Sequence, residues 1–245
     1  MGHPLIKGED MRIVLRPRGI VLLVDREMDV YERLLDAYGP QHWWPADSAF
    51  EAIVGALLMS QTAWRNAAEA IRNLEAAGLL DVGRLASAPI PTIRKHVRVA
   101  GLHRTKPRRL RDFCRHLLDR SAGDLPRYFD RPTEVVRADL LAQKGIGPET
   151  ADTILLYAGG HPVFLVDAYT IRIGRRIGLF DTDAYEAVQR HFADRVPNDL
   201  AIRQEYHALL DTHAKVRCRP VPKCDVCPVR ELCDVGRGLR NYIVK

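Results

Sequence analysis

From about residue 28 onward, apolar side chains recur at three- and four-residue spacings, the period that lines one face of a helix. The clearest stripe is Phe50, Ile53, Val54, Leu57 and Leu58. The same spacing predicts further helices over roughly 28–38, 63–77, 92–99, 105–119, 133–143, 148–158, 168–178, 183–193 and 200–214. Boundary chemistry agrees with these spans: Asp47 or Ser48, Asp81, Thr92 after Pro91, Thr105 and Thr133 after Pro132 stand where caps belong, and Pro148 stands where a first turn tolerates proline. Residues 1 to about 27 lack helical periodicity, and their IVLLV run (20–24) reads as either a short strand or an ordered arm. Convincing alternating strands are missing elsewhere, so the pattern predicts an all-α protein of about ten short helices. No internal repeat or low-complexity segment interrupts it.

Composition narrows the class. The chain has 245 residues, of which 47% are hydrophobic, enough to bury one large core or two smaller ones. No apolar run is long enough to span a bilayer, and IVLLV runs into Asp25, Arg26 and Glu27 where an export signal would carry a cleavage site. A cytoplasmic protein without a membrane partner is therefore expected. The net charge of +6 comes partly from arginine-rich stretches such as RTKPRRLR (104–111). This balance suits a polyanionic partner and suits a solvated basic surface equally well.

Four of the five cysteines, Cys218, Cys224, Cys227 and Cys233, fall within sixteen residues. In a chain without an export signal, such density points to a metal centre rather than to disulfides. Four thiolates suit tetrahedral zinc or an iron–sulfur cluster, and local chemistry leaves both open. Cys114, alone on its helix, reads as core.

The segment KGIGPETAD (144–152) reads as a turn at Gly145-Ile146-Gly147 that opens a helix at Pro148. Glycines there permit positive φ and a close backbone approach, so the turn amides and the helix N-terminus can receive a phosphate oxygen, with Lys144 beside it. An ordinary packing corner would look similar if the turn stood alone. The helix nevertheless begins with an acid, Glu149, where a phosphate site has no use for one.

Taken with MSQTAWRNA (59–67), GLHRTKPRRL (101–110) and LVDAYT (165–170), the hairpin resembles the helix-hairpin-helix (HhH-GPD) DNA glycosylase superfamily to which endonuclease III belongs. The likeness runs from about residue 28 to Cys233. It implies two helical domains: a six-helix barrel over 42–160, and a second domain from both termini, 1–41 and 161–245, carrying the cysteine loop. It also implies a monomer that acts on double-stranded DNA with a damaged base, associated with the nucleoid, and a [4Fe-4S] cluster on the four cysteines. The first cysteine interval is one residue shorter than the family's. In this likeness Asp167 stabilises the oxocarbenium-like sugar, Gln61 lies near the gap left by the flipped base, and Thr105, Lys106, Lys144, Gly145 and Gly147 meet the DNA backbone.

Bifunctional relatives use a lysine in the second hairpin helix to form a Schiff base, and this chain has Glu149 there. A carboxylate cannot form an imine, so hydrolysis without strand nicking is expected. The QHWWP string (41–45), QKGIG (143–147), Glu149 and Trp64 are similar to the 3-methyladenine DNA glycosylase III branch, although that branch lacks the cysteine loop. That likeness implies a base pocket of Trp43, Trp44, Pro45 and Trp64 for an alkylated purine, whose positive charge favours stacking on electron-rich rings. An endonuclease III-type activity on oxidised pyrimidines or mismatched thymine and uracil, and a lesion-binding protein without turnover, remain the alternatives.

Overall fold

The computed structural model describes residues 13–16, 19–22 and 26–241. Twelve α-helices account for most of them. Among the described residues no helix is long and apolar enough to cross a membrane. The chain divides into two compact units, 41–168 with 197–208, and 1–40 with 169–196 and 209–245. The division expected from the sequence differs in three places, because Gln41, residues 161–168 and residues 197–208 belong to the first unit.

The first unit is organised around α2 (Ala49–Met59), which buries Phe50 and every residue from Ala52 to Leu58. Ser48 caps it by accepting from the Glu51 amide at 3.1 Å. A helix apolar on nearly all sides must be enclosed, and α3 (Trp64–Ala76), α6 (Lys106–Ser121) and α9 (Pro148–Tyr157) pack around it. α5 (Ile90–Val97) packs on α3 and α6, and α8 (Thr133–Leu141) on α9. These are the six helices that periodicity predicts in this region. Two short ones, α4 (Val82–Ser87) and α7 (Leu125–Phe129), were not expected. Six and five residues give too little length for a period to show, although Asp81 does cap α4. The α5 cap also needs correction: Pro89 stands at that position and Thr92 lies inside the helix.

Strands β1 (Ile13–Arg16) and β2 (Gly19–Leu22) form an antiparallel hairpin in the second unit, with Ile13 opposite Leu22 and Arg16 opposite Gly19. The first half of the IVLLV run is thus a strand, added to an otherwise helical fold. α1 (Arg26–Tyr38), α10 (Ala168–Ile177), α11 (Tyr185–Ala193) and the later part of α12 (Leu200–Val216) complete this unit around Val30, Leu34, Ile173, Val188 and Phe192. Arg26 ties the cysteine loop to the end of α10, donating to the Ile177 carbonyl at 2.8 Å and to the Leu232 carbonyl.

Candidate nucleic-acid interface and catalytic site

The hairpin is α8, the turn, and α9. Arg137 of α8 holds the fully buried Asp152 of α9 in a bidentate pair of 2.7 and 3.1 Å, fixing the angle at which the two helices meet. Asp152, the last residue of KGIGPETAD, is therefore spent on architecture. The two glycines of the turn differ. Gly145 has φ +85°, and a Cβ there would stand 2.7 Å from Nε of Arg109, whose guanidinium lies across the turn. Gly147 caps α9 with an ordinary φ of −96°, and a Cβ there would meet nothing within 4 Å. Lys144, Gly145 and Gly147 are all exposed.

Of the two residues at the start of α6, Thr105 is exposed and its hydroxyl bonds the Leu102 carbonyl at 3.3 Å. Lys106 corrects the sequence reading. It is fully buried, and Nζ donates to the Ala100 carbonyl at 2.5 Å, so it cannot reach a DNA phosphate. Burial and the nearby Arg109 charge lower its pKa. The cation that α6 does offer at the hairpin is Arg109, which sequence spacing alone did not separate from its arginine neighbours.

Gln61 is exposed in the turn before α3 and has φ +55°. Leu102, also exposed, has φ +43° in the turn before α6. Non-glycine residues held in this region are uncommon and tend to mark functional turns.

Glu149 occupies the first turn of α9. The residue is exposed, yet surrounding protein removes enough solvation to raise its pKa, and the charge of Asp167 raises it further. The charges of the two candidate carboxylates therefore act on one another. Asp167 ends the 161–167 segment, which Arg203 clamps by donating to the Pro162 carbonyl and, at 3.0 Å, to the Pro197 carbonyl. His207 of α12 faces Asp167, with Nε2 3.9 Å from Oδ2.

The aromatic residues form a second cluster. Trp43 and Trp44, joined by a cis peptide, line an open cavity of about 320 Å³ together with Ala46, Asp47, Ser48, Ala49, Ala52, Tyr157 and Gln204. Trp64 packs edge-on against Trp44 at 5.2 Å, and Tyr157 tilts against the same Trp44 indole at 5.0 Å. Pro45 is exposed and does not line the cavity, Trp64 meets it through Trp44 without lining it, and Glu149 and Asp167 do not line it either. Trp44 Nε1 is a buried donor without a hydrogen-bond partner. Gly55 makes this arrangement possible: a Cβ on it would stand 3.3 Å from Trp44 and 3.5 Å from Trp64. A glycine inside the most apolar helix is the signal by which sequence reasoning could have found this contact.

In the second unit, Cys218, Cys224, Cys227 and Cys233 line one cavity with Ile173, Arg176, His213 and Arg217. Arg176 Nη1 lies 3.4 Å from Cys218 Sγ, the Gly236 amide 3.4 Å from Cys233 Sγ, and His213 Nε2 3.8 Å from Cys227 Sγ. Burial pushes the Cys227 thiol up to about 11 and raises Cys224 and Cys233, with mutual repulsion adding to each. Thiols so crowded become thiolates readily only when a cation compensates them. Among the described residues no three His, Cys, Asp or Glu side chains converge on a position for a single metal ion. Cys114, in contrast, is buried in α6, its thiol pushed up to about 12, as a core residue should be.

The comparisons with known proteins fit this geometry. A model of the HhH-GPD superfamily base excision DNA repair proteins matches residues 54–198. A Methanocaldococcus jannaschii protein named as a DNA repair glycosylase is 38% identical over 206 residues, 83% of this chain and 94% of that one. Endonuclease III of Escherichia coli is 25% identical over 193 residues, 76% of this chain and 84% of that one. Among solved structures, the Helicobacter pylori 3-methyladenine DNA glycosylase MagIII bound to 1,N6-ethenoadenine aligns with a TM-score of 0.69 at 24% identity, over 77% of this chain and 97% of that one. A non-covalent endonuclease III–DNA complex aligns with a TM-score of 0.75 at 20% identity, over 89% and 99%. Likeness at these identities speaks to the fold, and the matched family model carries the assignment: the chain belongs to the HhH-GPD superfamily of base excision DNA repair proteins.

Proposed function

We propose that this protein is a monofunctional DNA glycosylase that extrudes a damaged base, an N-alkylated purine, and hydrolyses its N-glycosidic bond with water. The observation that supports the reading is Glu149 in the first turn of α9, where an imine-forming enzyme needs an amine, with the charge of Asp167 acting on it. An alkylated purine already carries positive charge and leaves with the bonding electron pair, so little acid assistance is required. Asp167 stabilises the cationic sugar that remains. Its raised pKa makes ionised Glu149 the better base for the proton of the attacking water, whose oxygen closes the new bond to the sugar. Lys144, exposed in the turn, serves the phosphate rather than the sugar.

The Trp43, Trp44 and Tyr157 rings supply electron-rich faces for a cationic base, and about 320 Å³ suits a single ring system. On the DNA backbone, the open face of Gly147, the first-turn amides of α9 and the Arg109 guanidinium favour one phosphate. Gln61 and Leu102 are suited to the stack around the extruded nucleotide, Leu102 as an apolar wedge. Cys218, Cys224, Cys227 and Cys233 would hold a [4Fe-4S] cluster. Four thiols around one cavity are a donor set that suits such a cluster, and zinc is the alternative the same donors allow. When bound, the cluster anchors its loop and takes no part in the base chemistry.

The test is base release from methylated duplex DNA by wild type and Asp167→Asn. Wild type should free the alkylated purine and Asp167→Asn should lose the activity. Tight binding to abasic-analogue duplexes without release from any lesion duplex would instead mark a lesion-binding protein.

A further inference from the structure

The mechanism above leaves His207 unused, although it is buried between two parts of the site. Its Nδ1 lies 2.8 Å from the Tyr157 hydroxyl and its Nε2 3.9 Å from Asp167 Oδ2. Tyr157 in turn contacts Trp44 at 5.0 Å and lines the aromatic cavity. The Gln204 carbonyl is a second partner for the same hydroxyl, at 3.4 Å, and the imidazole at 2.8 Å is the nearer one. With Nδ1 accepting, the imidazole proton sits on Nε2 and faces Asp167.

We infer that His207 is a positioning residue for Asp167, linking the wall that receives the base to the carboxylate that receives the developing sugar charge. The inference rests on the proposed role of Asp167. A carboxylate serving a cationic transition state must present one oxygen at a fixed place, and small misplacement of such a group is costly to the rate. The Nε2 side of the imidazole draws Oδ2 towards α12 and so helps to set the rotamer of Asp167. Because Tyr157 holds the imidazole in this tautomer, a base seated against Trp44 and Tyr157 meets a carboxylate that is already oriented. Sequence reasoning missed His207 because it lies forty residues beyond Asp167 on another helix.

The test uses full-length protein, methylated duplex under single turnover, and Kd for an abasic-analogue duplex measured separately. His207→Leu should slow base release about tenfold to a hundredfold while Kd stays near wild type. His207→Gln, whose amide can both accept from Tyr157 and donate to Asp167, should recover at least half of that loss on a logarithmic scale. Tyr157→Phe keeps the ring against Trp44 and should show a smaller loss in the same direction. Combined with Asp167→Asn, His207→Leu should cause no further slowing, since both act through one group. A His207→Leu enzyme releasing base at the wild-type rate would overturn the inference. Should that variant not fold, an unchanged rate in Tyr157→Phe overturns it instead. If Asp167→Asn itself keeps full activity, the functional reading fails first. If Asp167→Asn is inactive and the His207 series is unaffected, only this inference fails.

Discussion

Gly145 and Gly147 stand two residues apart in one turn but are glycine for different reasons, and alanine substitutions separate them. At Gly145 the backbone has φ +85°, a conformation that costs an L-residue about 1–2 kcal/mol. The new methyl would also stand 2.7 Å from Arg109 Nε, but this is the end of a flexible side chain and can move. Gly145→Ala should thus lose about 1–3 kcal/mol, lowering Tm by about 2–4 °C for each kcal/mol in a chain of this size. Gly147→Ala meets open space at φ −96° and suffers only the poorer capping of alanine, about 0.5–1 kcal/mol. Its defect should appear in binding, because the methyl occupies the face a phosphate oxygen must approach. An affinity loss of about tenfold, worth ~1.4 kcal/mol, is expected. Thermal melts and fluorescence anisotropy on an abasic-analogue duplex, at one fixed salt concentration, measure the two effects. Wild-type affinity in Gly147→Ala would refute the backbone contact, and equal melting of the two variants would refute the structural argument at Gly145.

Arg109→Gln should reduce the dependence of log K on log salt by about 0.9 without changing lesion preference, whereas Lys106→Met should leave that slope unaltered; titrations at several salt concentrations distinguish them. For Glu149, a raised folded-state pKa means that stability is greatest with the carboxyl protonated and is lost as pH rises through that pKa. Glu149→Gln should therefore melt above wild type at neutral pH, and the gap should close as the pH falls towards about 4, while base release is impaired throughout. Cys227→Ser should abolish the visible absorbance of a cysteine-bound cluster and lower Tm; retention of stoichiometric zinc with no visible band in wild type would show that the cluster assignment is wrong.

The helical framework was legible because its longer helices carry an uninterrupted period and ordinary caps, as α2 does with Ser48 and its buried face. Two short helices and a hairpin of two four-residue strands lie below the length at which a period can be read. The hairpin turn and Glu149 were legible as a local string, since turn chemistry and an acid in a first helical turn are properties of neighbouring residues, whereas Asp167 was singled out only through the family resemblance. Lys106 was misread because burial is a property of tertiary packing: within RTKPRR nothing distinguishes the lysine that turns inward to Ala100 from the arginine that turns outward to Gly145. Tyr157, Gln204 and His207 were invisible for the same reason, the first reaching the site from the far end of α9 and the other two from α12. Gly55 was the exception, a signal present in the sequence that the strength of its apolar stripe concealed.

The most direct test of hydrolysis at the Glu149–Asp167 pair is borohydride trapping alongside base release, on duplexes carrying either methylated purines or thymine glycol. The account predicts free alkylated purine from the methylated duplex and no covalent protein–DNA adduct. Release from the thymine glycol duplex, with a trapped adduct that disappears in Lys144→Ala, would contradict it.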